Sequence, residues 1–246
     1  MIDYKNINIT LGGRRILNDI SLHIGAGEIF CIAGRSGVGK SVMIKQLVGL
    51  LWPDSGSIKF MDREVTGMND AELLQLRKEC GMVFQHATLF DSMSCVDNVA
   101  LPVLKHNRVS AALAREKALR YMADVGIEHL ADRDPSAIGP GLRKLVSVAR
   151  TLTMKPKAIL YDEPTTGLDP PAARKFDRLV KGPLAEQGMT QVLVSHDVRS
   201  IFDVASKVAL LHDGHLRFLG TPGELEISDD YVVRSFIKGE NIEGVA

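Results

Sequence analysis

Eight consecutive residues, Gly34-Arg35-Ser36-Gly37-Val38-Gly39-Lys40-Ser41, fit the spacing G-x-x-x-x-G-K-[ST]. Each type at that spacing has a task. The glycines let main-chain N–H groups turn inward around phosphate oxygens. Lys40 sets a positive charge against the β- and γ-phosphates, and the Ser41 hydroxyl is placed to coordinate Mg²⁺. Val42 then opens a run of helical spacing to Leu50 whose N-terminus points at the anion. A strand-like run, Ile29 to Ala33, precedes the loop and the helical run follows it. Strand, loop and helix together predict a loop that holds a nucleoside triphosphate.

A second constellation lies far along the chain. Ala158-Ile159-Leu160-Tyr161 is a short apolar run ending in Asp162 and Glu163. Beside a phosphate-binding loop, the first acid of such a pair holds Mg²⁺ through water. The second then stands by the γ-phosphate, where a carboxylate polarises the attacking water. An acidic pair on a surface loop is commonplace. Its position at the end of an apolar strand, ahead of Pro164-Thr165-Thr166-Gly167-Leu168-Asp169, sets this one apart.

Strands and helices around these two segments set where they stand. Short β-like segments at Ile2 to Tyr4, Ile7 to Leu11 and Ile20 to Ile24 are punctuated by Gly12-Gly13 and Gly25-Ala26-Gly27. Ser57 to Phe60 and Glu64 to Val65 predict another hairpin. A helix at Ala71 to Lys78 leads to a strand at Gly81 to Phe84, and Val96 to Thr153 is mostly helical. Within it Ser110 caps a helix that ends at Gly126. The second half alternates: a helix over Ala172 to Gln187, a strand at Val192 to Val194, a helix at Val198 to Ala205 and a strand at Val208 to Leu211. Asp213-Gly214 then turns into Leu216 to Leu219. Such alternation predicts a largely parallel sheet with helices on both faces.

Composition narrows the class. The 246 residues carry 30 Lys+Arg against 30 Asp+Glu, so the basic excess of a nucleic-acid binder is missing and none is expected as a partner. Apolar runs end after a few residues, far short of the roughly 18–20 of a membrane span. Met1-Ile2-Asp3-Tyr4 shows no basic stretch followed by an apolar one, so no secretory signal or transit peptide is expected. Cys31, Cys80 and Cys95 are scattered and lack C-x-x-C spacing, which fits reduced thiols rather than a disulfide framework or a zinc site. Glu116 and Arg120, four apart on a helix, read as a solvated face. His212 and His215, flanking a turn, are not expected to bind metal.

The run Asp162-Glu163-Pro164-Thr165-Thr166-Gly167-Leu168-Asp169-Pro170 resembles the Walker B and D-loop segment of ABC transporter ATPases. Val194-Ser195-His196-Asp197 resembles their switch histidine, and Val83-Phe84-Gln85 their Q-loop. Order and spacing match over nearly the whole chain. The resemblance implies an α/β fold: a P-loop NTPase core with a mostly parallel sheet, an N-terminal antiparallel β subdomain and an inserted helical subdomain. It implies a domain over residues 1–221, with the helical part at about 88–153, and a C-terminal helix and tail over 222–246. ATP and Mg²⁺ are the implied ligands. Glu163, His196 and Lys40 take catalytic roles. Gly34 to Val42, Gln85, Gly139, Gly141 and Asp169 contact nucleotide, and Ser41, Gln85 and Asp162 hold the metal. Gln85 would also sense a transmembrane permease subunit, and Asp169 would cross to a second ATPase subunit. The protein would then sit at the cytoplasmic face of the inner membrane, held there by the permease.

Two departures stand out. The family normally carries L-S-G-G-Q before a helix; here the segment is Ile138-Gly139-Pro140-Gly141-Leu142, aligned by Ala149-Arg150-Thr151-Leu152. The signature serine and nearby N–H groups normally bind the γ-phosphate held by the opposite subunit. Gly139 has no hydroxyl and Pro140 no N–H, so this half-site is expected to be weakened, although Gly141 and the helix N-terminus still attract an anion. The adenine-stacking aromatic is replaced by Leu11. Paired with itself, the chain would hydrolyse slowly. Paired with an ATPase whose signature is intact, it would retain one full site built on Lys40 and Glu163.

The stretch Thr88-Leu89-Phe90-Asp91-Ser92-Met93-Ser94-Cys95-Val96-Asp97-Asn98-Val99-Ala100-Leu101-Pro102 resembles the corresponding segment of Mce/Mla-type lipid-transport ATPases. Thr165-Thr166 and Val232-Val233-Arg234-Ser235-Phe236-Ile237-Lys238-Gly239 point the same way. That resemblance implies lipid transport, an Mce-domain lipid-binding protein as a further partner, and a tail beyond Phe236 that reaches the neighbouring ATPase. Amino-acid and methionine importers share several of these features, so a small-solute importer is the competing expectation. A regulatory subunit that holds ATP but hardly hydrolyses it is the third. No N-K-x-D guanine-reading motif follows the loop, which argues against a GTPase.

Overall fold

The computed structural model describes residues 1–107 and 109–240. Two sheets divide the chain. The first is antiparallel, in the order β2-β1-β4-β5, built from β1 (Ile2–Leu11), β2 (Arg14–Ile24), β4 (Ser55–Phe60) and β5 (Arg63–Glu64). The second has six strands in the order β10-β9-β3-β8-β7-β6. These are β3 (Ile29–Ala33), β6 (Cys80–Val83), β7 (Ala158–Asp162), β8 (Thr190–Ser195), β9 (Lys207–His212) and β10 (His215–Gly220). The ladders joining β6, β7, β8, β3 and β9 are all parallel, and β10 returns antiparallel along β9. This is the α/β architecture the alternation predicts.

The central strands are continuous apolar runs because both of their faces are covered. Cys31 and Ala33 of β3 join Tyr161, Ile159 and Leu193 in a core that extends under the helices. Phe30 and Ile32 point the other way, joining Leu160, Val192 and the inward residues of β1 and β2. The helices are α1 (Lys40–Leu47), α2 (Asp70–Glu79), α3 (Cys95–Asn107), α4 (Ala111–Asp124), α5 (Pro140–Leu152), α6 (Pro170–Leu179), α7 (Val198–Val204), α8 (Pro222–Glu226) and α9 (Tyr231–Lys238). Buried side chains of α3, α4 and α5, among them Val99, Ala118 and Val148, belong to the helix-side core. No helix among the described residues is long and apolar enough to cross a membrane.

Several boundaries differ from the sequence expectation. The first two β segments form one strand, bent at Asn6, whose φ of 50° accompanies a register shift between Tyr4 and Ile7. The helix after the phosphate loop stops at Leu47, and Gly49 follows at φ 65°. The helix expected over Ala172 to Gln187 leaves α geometry after Leu179 and passes through a π turn at Val180–Leu184. Pro183 lies inside that turn and offers no N–H to an α ladder. The C-terminal region forms two short helices. Thr221 caps α8 and Asp230 caps α9, each through its side chain. The tail expected to reach a neighbour begins after Phe236; Ile237 and Lys238 complete α9, Gly239 caps it, and residues 241–246 lie outside the described residues.

Candidate functional site

The phosphate loop runs from the end of β3 to the start of α1. Its backbone admits only glycine at Gly34: φ is 146°, and a Cβ there would stand 2.6 Å from the Leu211 carbonyl oxygen. Gly39 caps α1 at φ 103°, with Leu17 2.7 Å from where its Cβ would be. The loop is thereby wedged between β9 and the first hairpin. Lys40 folds back over it, donating to the carbonyls of Gly34 at 2.9 Å and Arg35 at 2.7 Å.

Three chain segments meet at this lysine. Its Nζ lies 3.5 Å from Glu163 Oε1, and the same oxygen lies 3.5 Å from His196 Nδ1. Thr166 donates its hydroxyl to the other oxygen, Oε2, at 3.1 Å. Glu163 follows β7 at a φ of 44°, a sparsely populated conformation for a residue with a Cβ. Its N–H donates to Val194 at the end of β8, at 3.1 Å. His196 follows β8 directly, so adjacency of β3, β7 and β8 is what brings Lys40, Glu163 and His196 together. Burial alone would raise the Glu163 pKa; Lys40, His196 and the Thr166 hydroxyl outweigh it and hold the carboxyl below the usual glutamate range. Burial pulls the Lys40 ammonium below the usual lysine range, and Glu163 opposes that.

Below them Ser41 donates to Asp162 Oδ1 at 2.5 Å, and Lys45 Nζ stands 3.7 Å from Asp162 Oδ2. Two oxygen donors from separate elements are thus paired beside the loop. Among the described residues no group of three or more His, Cys, Asp and Glu is arranged to hold a metal. A cation between Ser41 and Asp162 would take most of the rest of its shell from phosphate and water oxygens, with few further protein ligands, which is how Mg²⁺ is usually bound.

The other expected site residues lie elsewhere. Gly139 caps α5 with no side-chain hydrogen bond. Gly139, Pro140 and Gly141 line a hollow of about 270 Å³ with Leu168 and Asp169, apart from the Lys40 cluster. Asp169 Oδ1 accepts from the Ala172 N–H at 2.7 Å and so caps α6. Leu11 is exposed, at the tip of the first hairpin. The hollow beside the phosphate loop, about 360 Å³, is lined by Arg14, Arg15 and Ile16 together with Arg35 to Val38. Gln85 is exposed, on the segment that leaves β6.

Lys144 is a residue that motif reading passed over. It is 3% exposed and donates to the Phe84 carbonyl at 2.8 Å and to the Gln85 carbonyl. Burial lowers its pKa to about 8, with Asp162 opposing. The available signal was its spacing, because Lys144, Val148 and Leu152 fall on one stripe of an otherwise apolar helix face.

Comparison with known proteins agrees with this geometry. The family model described as ABC transporter matches residues 17–166. The chain is 36% identical over its whole length to the methionine import ATP-binding protein MetN of Clostridium tetani, covering 78% of that protein. It is 33% identical to the intermembrane phospholipid transport system ATP-binding protein MlaF of Haemophilus influenzae, over 98% of this chain and 91% of that one. Among solved structures, a dimeric ATP-binding cassette in a post-hydrolysis state bound to ADP and Pi superposes with a TM-score of 0.82 at 29% identity, over 90% of this chain and 99% of that one.

Proposed function

The chain belongs to the ABC transporter family as an ATP-binding, ATP-hydrolysing subunit, and from that premise we propose that it drives lipid movement across a bacterial envelope. The observation that carries the chemistry is the single oxygen, Glu163 Oε1, 3.5 Å from both Lys40 Nζ and His196 Nδ1.

ATP phosphates enter the loop of Gly34 to Ser41 and draw Lys40 toward themselves. The base rests on the hairpin side of the loop, by Leu11 and the hollow lined by Arg15 and Ile16. Losing the lysine charge raises the proton affinity of Glu163, because a nearby cation is what holds it down. The carboxylate therefore becomes a better base as nucleotide arrives, and polarises the attacking water. Lys40 and His196 hold the charge that spreads over the transferring phosphoryl. Ser41, Asp162 and Gln85 are the residues that would hold Mg²⁺. When bound, it would neutralise phosphate charge. Gly139, Gly141 and Asp169 face a second ATPase subunit, and Gln85 relays the cycle to a transmembrane permease. In this reading the chain sits at the cytoplasmic face of the inner membrane, held there by the permease.

The lipid reading is supported by the resemblance of Thr88 to Pro102 to lipid-transport ATPases and by the MlaF relative; the segment is held by a buried asparagine. Asn98 is fully buried and ties the Phe90 N–H and carbonyl together with the carbonyls of Met93 and Ser94. An Mce-domain protein is the further partner of this reading. The MetN relative favours a second one, import of an amino acid or other small solute. Purifying the complex from its own cells and identifying bound lipids and partner chains by mass spectrometry tests the choice. Phospholipid with an Mce-domain protein supports the first reading, and a solute-binding protein without lipid overturns it.

A further inference from the structure

The segment that carries Gln85 leaves the sheet after Val83, where the ladder with β7 ends, and meets α3 at Cys95. Cations of α5 hold it, mostly through its main chain. Lys144 takes the carbonyls of Phe84 and Gln85. Arg150 takes the Thr88 carbonyl at 2.7 Å and its hydroxyl at 3.1 Å, and Arg143 reaches Asp91 at 3.3 Å. Lys144 differs from the two arginines. It is buried, and its hydrogen-bond partners among the described residues are both main-chain oxygens. An apolar side chain would fit the same stripe as Val148 and Leu152 without the cost of burying an ammonium group. A lysine there is explained by what it holds.

Helix α5 begins at Pro140, just after Gly139, about one turn before Lys144. We infer that Lys144 is a positioning residue that binds the start of α5, the part offered to a second ATPase, to the loop bearing Gln85. The two then move as one body when the ATPase pair closes, and closure reaches the permease through a short, stiff link. This rests on the roles proposed above for Gln85 and for residues 139–141. Lys144 touches no reacting atom; it acts through the Gln85 main chain.

The test uses the complete complex of this chain with its permease and ATPase partners. Lys144→Met and Lys144→Arg are compared with the unaltered chain for kcat, for KM toward MgATP and for melting temperature. Losing two hydrogen bonds from a charged donor is expected to lower kcat of the Met variant at least about tenfold, with KM within about threefold. Arginine, which can reach the same carbonyls, is expected to return kcat to within about threefold. If the Met variant does not fold, Lys144→Gln, which keeps an N–H donor without the charge, replaces it under the same criteria. A Met variant with unaltered kcat overturns the inference. So does a parallel loss of kcat, MgATP binding and melting temperature that arginine fails to reverse, because that pattern marks a purely structural lysine. Failure of the underlying reading is visible separately: the unaltered complex would then neither retain MgATP nor release phosphate.

Discussion

Putting a hydroxyl at position 139 is a direct probe of how this chain works with a second ATPase. Gly139 sits at φ −66° and ψ 162°, an ordinary extended conformation, and a Cβ there would meet nothing within 4 Å. Serine therefore fits without displacing a neighbour. As an N-cap it is worth only a few tenths of a kcal/mol over glycine, which moves the melting temperature of a domain this size by about 1 °C. The effect on phosphate is larger. A hydroxyl donating to a charged phosphoryl oxygen contributes ~1.5–3 kcal/mol, or about tenfold to a hundredfold in an equilibrium or rate constant. Only the fraction gained in the transition state raises kcat. Gly139→Ser is thus expected to leave stability almost unaltered and to raise steady-state phosphate release by up to that factor, where the affected half-site limits turnover. Adding Pro140→Gly supplies one more N–H, while removing a favourable first-turn proline at a cost of about 0.4–1 kcal/mol of stability. The assay is phosphate release by the assembled complex at saturating MgATP. Release unchanged within about twofold in both variants, with nucleotide still bound, would refute the idea that the missing hydroxyl weakens the site.

Glu163→Gln removes the carboxylate that Lys40 and His196 share. Turnover is expected to fall ~10²–10⁴-fold while MgATP binding persists; hydrolysis above about a tenth of the original rate would take Glu163 out of its role. All three cysteines are buried, burial pushes the Cys31 thiol up to about 12 against the opposing effect of Lys40, and Cys80 and Cys95 are raised as well. A thiol reagent at pH 8 is therefore expected to leave the folded protein unlabelled and to label every cysteine once it is denatured. Asp177, buried between α6 and α7, accepts the Ser200 hydroxyl at 2.5 Å. Burial, with Asp197 and Asp203 adding to it, holds its pKa above the usual aspartate range despite Ser200 and Arg178. Its folded pKa exceeds its unfolded one, so its favourable contribution is present below the unfolded pKa and is lost as pH rises through the folded one. Asp177→Asn should accordingly raise the melting temperature at pH 7 relative to the unaltered chain, and lose that advantage in acid. An equal effect at both pH values would refute the assignment.

Much of this protein is legible from local spacing. The loop at Gly34 to Ser41 could be read because its function needs residue types rather than partners: glycines for inward-facing amides, one ammonium and one hydroxyl. Asp162 and Glu163 could be read because a five-residue apolar strand ends at one acid and is followed at once by another. The alternation of the second half implied a parallel sheet. Boundaries were less legible. Asn6 bends a single strand through its own dihedral angle, and the break in the helix after Leu179 needed the Gly182-Pro183 pair to be weighed against a long helical periodicity.

Which groups exist, and which stretches of backbone can hold them, is written locally, since glycine, proline and hydrophobic period act within a few residues. Which groups meet depends on how the strands pack. Strand order put β3 beside β8 and β8 beside β7. That order comes from packing side chains over both sheet faces at once, a sum over distant residues that leaves no local mark. It alone makes one oxygen of Glu163 common to Lys40 and His196, groups far apart along the sequence. It alone turns Lys144, an ordinary basic residue on the page, into a buried tie to the Gln85 loop, because the carbonyls it holds belong to a segment some 60 residues away.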